Sequence, residues 1–208
     1  MVFIHGWDAA TDDAEWRSFL ETHPFGELIA AGAGRIVPIV VPTQFAIDGD
    51  AILVHLLRQN PVWAAIRENP TVMLCVSGDW AFVPSSWKAI GDEDPLEGIP
   101  TTYYASVQLT GTAHVIEDPD GVAEVLRVQL RRFQPEVDIV DPSSHEARLR
   151  AITALRIEVA EVRAKFKYGG NVDGDHRRRV AEHLERRGAD GDRAAARRVR
   201  RRLSDAQP

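Results

Sequence analysis

Between residues 26 and 117 the chain breaks into short runs rich in β-branched and aromatic residues, each closed by a turn signal. No other feature restricts the fold as much. Residues 27–31 stop at Gly32-Ala-Gly34, and residues 35–47 carry Ile36, Val37, Ile39, Val40, Val41 and Phe45. Asp48-Gly49-Asp50 is a hairpin signal that returns the chain into a strand over 51–56. Two further strands, 72–77 and 80–83, flank Gly78-Asp79, and a long one spans 102–117 after the acidic loop 89–100. About six short strands, joined mostly by hairpins, fit an antiparallel barrel and not a doubly wound parallel sheet. Pro38 and Pro42 interrupt the 35–47 run. Proline offers no ladder donor, so that strand belongs at an edge or a bulge, where unpaired backbone groups face outward.

Helical patterning lies around this block. Asp12 and Glu15 have capping-box spacing, and Trp16, Phe19 and Leu20 share a face, which predicts a helix over 13–22 that ends at His23-Pro24. Asn60-Pro61 reads as an N-cap with proline at the first helical position of a helix through 68. Asp118-Pro-Asp-Gly121 opens an amphipathic helix through 133, with Val122, Val125, Leu126 and Leu130 inward. Residues 134–147 read as a loop, Leu149 as part of a short helix, and 153–167 as a last strand. Beyond 174 come one or two Arg-rich helices broken at Gly188.

The 208 residues suit one main core plus an appendage. The division expected is 1–170 for the barrel domain and 171–208 for a basic helical extension. With 44% apolar and 27% charged residues, and no run near the roughly 18 apolar residues of a spanning helix, the sequence reads as cytoplasmic and without a membrane partner. Net charge is −6, yet residues 176–208 hold 11 Arg against 5 acids. That basic tail fits either contact with DNA or a solvated helix face.

Familiar catalytic constellations are missing. The seven histidines are scattered at 5, 23, 55, 114, 145, 176 and 183 without zinc spacing, and Gly-x-Ser-x-Gly is absent. Gly32-Ala-Gly34 reads as a hairpin turn, and Cys75, inside an apolar run, reads as inert packing. What remains is a concentration of polar and aromatic residues beside the β-runs. Thr43, Gln44, His55, Arg58, Asn60, Ser85, Ser86, Trp87, Lys88, Tyr103 and Tyr104 offer the hydroxyl, guanidinium and ammonium groups that suit a phosphate ester, and rings that suit a planar cofactor. Each has a plainer reading: Thr43 can cap a strand, His55 can be a satisfied barrel histidine, and Trp87 can be core.

Six segments carry a resemblance: His23-Pro-Phe-Gly-Glu-Leu-Ile29, Val40-Val-Pro-Thr-Gln-Phe45, His55-Leu-Leu-Arg-Gln-Asn-Pro-Val-Trp63, Gly78-Asp-Trp-Ala-Phe-Val-Pro-Ser-Ser-Trp87, Pro100-Thr-Thr-Tyr-Tyr-Ala-Ser-Val107 and Ala164-Lys-Phe-Lys167. In order and spacing the chain resembles the PaiB-type, FMN-binding negative transcriptional regulators of the FMN-binding split-barrel superfamily. The resemblance implies an α+β fold: a mainly antiparallel split β-barrel with peripheral helices, here with an Arg-rich C-terminal helical tail. It also implies a homodimer with FMN at the subunit interface. By position, Val41, Thr43, Gln44 and His55 would face the ring and ribityl chain, Arg58 and Asn60 the phosphate, and Ser85, Ser86, Trp87 and Lys88 the ring or phosphate. Tyr103, Tyr104 and Gln108 would approach from the long strand. The chain departs from the family at Gln44, where histidine is frequent, and at Lys167-Tyr-Gly-Gly-Asn171, where a Lys-Leu-Ser-Gln-Asn type of segment is frequent.

The expected function is therefore FMN binding, with the flavin as redox cofactor or sensed ligand and no side chain required as acid or base. A flavin-dependent oxidoreductase is the enzymatic version. The alternatives are a DNA-binding regulator acting through the basic tail, tested by deleting 189–208, and a haem-binding protein with His114 or His176 as ligand.

Overall fold

A computed structural model describes residues 1–91 and 93–204. Seven strands, β1 Phe25–Ala30, β2 Ile39–Gln44, β3 Ala46–Asp48, β4 Ala51–Leu57, β5 Thr71–Val83, β6 Thr101–Ile116 and β7 Ile152–Lys167, form one sheet in the order β2-β1-β5-β6-β7-β4-β3. The helices are α1 Asp13–Thr22, α2 Val62–Glu68, α3 Ser85–Lys88, α4 Pro119–Phe133, α5 Glu146–Leu149, α6 Gly174–Arg187 and α7 Asp192–Ser204. The class is α+β, and β1 with β2 and β5, like β4 with β3 and β7, pairs antiparallel.

The proline argument holds. Pro42 lies opposite Glu27 in β2, which is an edge strand, so its missing N–H breaks no second ladder. The single strand expected over 35–47 is shorter and divided. Residues 35–38 lie outside any strand, and Phe45, whose N–H donates to Pro24 O at 3.1 Å, separates β2 from β3. The two strands expected around Gly78-Asp79 are one, because Asp79 takes φ 50° within β5 and does not turn the chain back. Asp79 absorbs that strained backbone inside a ladder and a set of side-chain bonds. Its carboxylate accepts from Arg198 Nε at 2.7 Å, and its carbonyl accepts from the Tyr168 hydroxyl at 3.0 Å.

The chain divides into two compact units, and β5, β6 and β7 each run from one into the other. Unit 1 comprises Met1–Arg17, Ser77–Val107 and everything described from Ala164 onward; unit 2 comprises Ser18–Val76 and Gln108–Arg163.

In unit 2, α4 lays Val122, Ala123 and Val125 with Leu149 against Leu53 and Ala154. Asp118 caps α4 through a 2.7 Å bond from Gly121 N–H, which satisfies one of the orphan donors at the helix start. Helix α2 begins at Val62, one residue later than the proline suggested, and Asn60 still caps it by accepting from Val62 N–H at 3.0 Å. Cys75 is half-buried and desolvation raises its thiol, which suits inert packing.

In unit 1 the Arg-rich tail folds as two helices that pack on each other, separated by Gly188 at φ 63° as the left-handed cap. Ala195, Ala196 and Val199 of α7 and Val180, Ala181 and Leu184 of α6 are all fully buried. Eight of its eleven arginines are exposed, and several of the eleven pair with acids of the same unit. Arg202 pairs with Glu15 (2.8 Å), Arg198 with Asp79 (2.7 Å), Arg187 with the buried Asp192 (2.6 Å) and Arg200 with Glu185 (2.7 Å). No helix among the described residues is long and apolar enough to cross a membrane.

Candidate functional site

Seven of the residues singled out by the sequence fall in unit 2. On the edge strand β2, Val41 is half-buried and Gln44 exposed, while Thr43 is buried and donates from its hydroxyl to Gln44 O at 3.1 Å. Strand β2 packs against β4 and α2. On β4, His55 Nδ1 lies 2.5 Å from Gln129 Oε1, and Gln129 Nε2 donates to Leu53 O at 3.2 Å. Because that amide oxygen accepts, Nδ1 of His55 carries the proton. His55 thus ties α4 to β4, the satisfied barrel histidine of the plainer reading. Asn60 is spent on capping α2. Arg58 is exposed and donates to Glu117 O at a long 3.3 Å, so most of its five N–H groups lack an acceptor among the described residues. Gln108, on β6, is half-buried.

The other six fall in unit 1. Ser85, Ser86, Trp87 and Lys88 make up α3, a single helical turn that packs on α6. The Trp87 ring is covered: His183 stacks on it at 4.9 Å and 13°, and the Arg187 guanidinium lies 4.8 Å from its centroid. Tyr104 is half-buried with the Lys165 and Lys167 ammonium groups 5.7 Å and 5.9 Å from its ring. Lys167 also donates to Thr101 Oγ1 at 2.6 Å, and Lys165 to Phe3 O at 2.9 Å. Tyr103 is 1% exposed, its hydroxyl has no hydrogen-bond partner among the described residues, and burial pushes the phenol up to about 12.

Sequence reasoning missed what surrounds these residues in unit 1. Asp8 is buried, and desolvation raises its carboxyl against the opposing pull of Lys165, His5, Lys167 and Arg202. Lys88 is half-buried without a hydrogen bond or ion pair among the described residues, and burial, then Lys167, holds its ammonium below the usual lysine range. His176, proposed from sequence as a haem ligand, is 1% exposed, and both ring nitrogens lack a hydrogen-bond partner among the described residues. Burial, then Lys88 and Arg179, holds it below its ordinary value. His114, the other such candidate, is exposed with Nε2 3.3 Å from the Glu158 carboxylate. Asp8 carries no motif in the sequence, whereas Lys167 closes the Ala164-Lys-Phe-Lys167 segment and opens the departure at Lys167-Tyr-Gly-Gly-Asn171.

Comparison with known proteins agrees with this fold. "Protease synthase and sporulation protein PAI 2" of Bacillus subtilis (strain 168) is 24% identical over 192 residues, covering 88% of this chain and 89% of the relative. The flavocytochrome Anf3 from Azotobacter vinelandii superposes with a TM-score of 0.63 at 24% identity, over 81% of this chain and 73% of that one. The FAD and heme binding protein from Mycobacterium smegmatis gives 0.62 at 21% identity, over 82% and 78%. Both structures share the fold with this chain. The family model described as "Putative FMN-binding domain" matches residues 3–161, well over half of the sequence. The chain therefore belongs to that FMN-binding family.

Proposed function

We propose that the chain is a cytoplasmic homodimer that seats FMN on unit 2, at Val41, Thr43, Gln44, His55, Arg58, Asn60 and Gln108, with the flavin as redox cofactor or sensed ligand of a regulator. The family match over residues 3–161 carries this reading. The donor chemistry of the unit fits the group. A phosphate suits a forked cation with N–H groups to spare, and among the described residues the Arg58 guanidinium makes one hydrogen bond, to Glu117 O. A ring edge needs amides beside apolar surface: Gln44 shares β2 with Val41, and Gln108 stands on β6. Thr43, His55 and Asn60 already hold local bonds, so their part is to fix β2, β4 and the start of α2 beneath the ligand. Bound FMN supplies electron or hydride transfer at its ring, and the protein supplies orientation and charge. Phe25, Ile36, Val37 and Val40, exposed along β1, β2 and the connection between them, offer apolar surface to a second copy. Ser85, Ser86, Trp87, Lys88, Tyr103 and Tyr104 lie in unit 1 and are left out of this seat.

Titration of the purified protein with FMN, read by flavin fluorescence, tests the reading. Arg58→Ala is expected to weaken binding by about tenfold or more, the ~1.5 kcal/mol of a charged hydrogen bond. Unchanged affinity removes Arg58 from the seat, and no binding at micromolar FMN refutes the seat itself.

DNA contact through the tail keeps one specific support. Arg193 and Arg197, one turn apart on α7, are exposed and make no ion pair among the described residues. Replacing both with Gln should remove salt-sensitive retention on DNA, because phosphate contacts carry such binding. Retention that survives the change sinks this second reading.

A further inference from the structure

We propose that a cleft in unit 2, between the end of α1, β3 and α4, binds a free α-amino acid with an apolar side chain. The cleft has a volume of about 410 Å³, and none of the residues that line it belongs to the flavin seat. That volume lies within the roughly 300–1,000 Å³ of small-molecule sites. Its floor is apolar: Leu20, Phe45 and Ala46 are buried, and Pro24 and Ile47 are half-buried. The chain builds this hollow where His23-Pro24 ends α1, and Phe45 N–H donates to Pro24 O at 3.1 Å at the break between β2 and β3. Helix α4 packs on β3 and brings Arg132 to the rim. Arg132 Nη2 donates to Glu21 O, one of the orphan carbonyls at the end of α1, which anchors the guanidinium there.

Charge at the rim selects the ligand class. Glu21 and Arg132 both line the cleft, and both are exposed. Among the described residues the Glu21 carboxylate makes no hydrogen bond or ion pair, and the Arg132 guanidinium makes only the bond to Glu21 O, so most of its five N–H groups are to spare. One cation and one carboxylate leave the lining without net charge, so a simple anion or cation would be attracted by one group and repelled by the other. A zwitterion uses both: its carboxylate meets Arg132 in the forked geometry a guanidinium favours, and its ammonium meets Glu21. A free α-amino acid carries the two charges on one carbon, whereas a peptide separates them to its two ends. The remaining substituent on that carbon faces the floor, where an apolar side chain gains ~25 cal/mol for each Å² it buries. The site goes beyond the flavin seat, since it needs neither FMN nor a second copy of the chain.

The test uses the full chain, with and without FMN, titrated by calorimetry with L-leucine and, separately, with L-phenylalanine. Saturable binding of at least one is expected, and it should persist when FMN is loaded. Glycine, which lacks the apolar group, and the N-acetyl and amide derivatives of the bound amino acid, which lack the ammonium and the carboxylate, should each bind at least about tenfold more weakly. Arg132→Gln, which keeps an N–H for Glu21 O, and Glu21→Gln, at an exposed side chain, should each weaken amino-acid binding about tenfold and leave FMN affinity unchanged. Absence of saturable binding of both amino acids overturns the proposal, as do derivatives that bind as tightly as the parent, or folded variants, checked by circular dichroism, that keep full affinity. Binding that disappears when FMN is loaded also overturns it, because the amino acid would then occupy the flavin seat. If FMN fails to bind but the amino acid binds in an Arg132-dependent way, the flavin seat falls and this site stands.

Discussion

Replacing Arg202 with Met removes the partner of a carboxylate that has almost no access to water. Glu15 is 1% exposed, and Arg202 reaches it through Nη2 at 2.8 Å and Nε at 3.2 Å, while the same Nη2 donates to Ala9 O at 2.6 Å. Glu15 keeps two weaker donors, the N–H of Thr11 at 2.9 Å and its hydroxyl at 3.3 Å. Breaking a buried pair from one side costs about 3–5 kcal/mol, since the remaining charge stays desolvated. The two Thr11 bonds and the rim position of Arg202 move the expectation to the lower end, near 3 kcal/mol. For a chain of this size that is a fall in Tm of roughly 6–12 °C. Thermal unfolding followed by circular dichroism measures it. Glu15→Met should cost a similar amount, because it strands the guanidinium, though Arg202 can turn partly to water. The double variant Glu15→Met/Arg202→Met should recover most of the loss, because a buried ion pair replaced by apolar groups of similar volume is close to neutral. A single variant that loses under about 1 kcal/mol, or a double variant whose loss equals the sum of the singles, refutes the reasoning. The same contacts make deletion of 189–208 a poor probe of DNA binding, since it would remove the arginines that pair with Asp79 and Glu15 at once.

Three further outcomes follow from the orphaned groups of unit 1. His176→Leu should stabilise the unliganded protein by about 1–3 kcal/mol, the cost of leaving buried polar atoms unbonded, as measured by urea unfolding at pH 8; a destabilised variant would mean the imidazole has a partner. Because His176 in the folded protein titrates below its ordinary value near 6.5, the unfolded chain binds the extra proton. Its contribution is therefore complete above pH 6.5 and declines as pH falls from there toward the lower folded value, so the Leu variant's advantage should widen in acid; a constant gap between pH 8 and pH 5 contradicts this. Gly169→Ala should destabilise by about 2 kcal/mol from left-handed strain alone, with more from the hydroxyl clash, and adding Tyr103→Phe should recover only the clash.

The β-rich block could be read in advance because its signals are local. Turn glycines, the Asp48-Gly49-Asp50 hairpin and two prolines act within four residues, and they placed β2 at an edge of the sheet. Asp79 could not be read so. A Gly-Asp pair is a turn signal by propensity, and bonds from Arg198, more than a hundred residues on, and from Tyr168 help to keep it in a continuous strand. Propensity yields there to tertiary bonding.

The basic tail is legible only in part from composition, for the same reason. Eleven arginines in the last 33 residues describe a solvated or DNA-facing surface if charge is summed along the chain. Yet Arg187, Arg198 and Arg202 answer single acids, namely Asp192, Asp79 and Glu15, two of which lie far away in sequence. Composition reports the sum of charges, whereas desolvation acts on individual pairs, and a buried carboxylate requires its cation at hydrogen-bond distance. The arginines without an acid, Arg193 and Arg197 among them, are therefore the informative ones for a partner, just as Lys88 is among the lysines. By that criterion Arg58 and Lys88, one in each unit, are the cations of the candidate set that remain for ligands, and Trp87, His55 and Asn60 are taken by the fold.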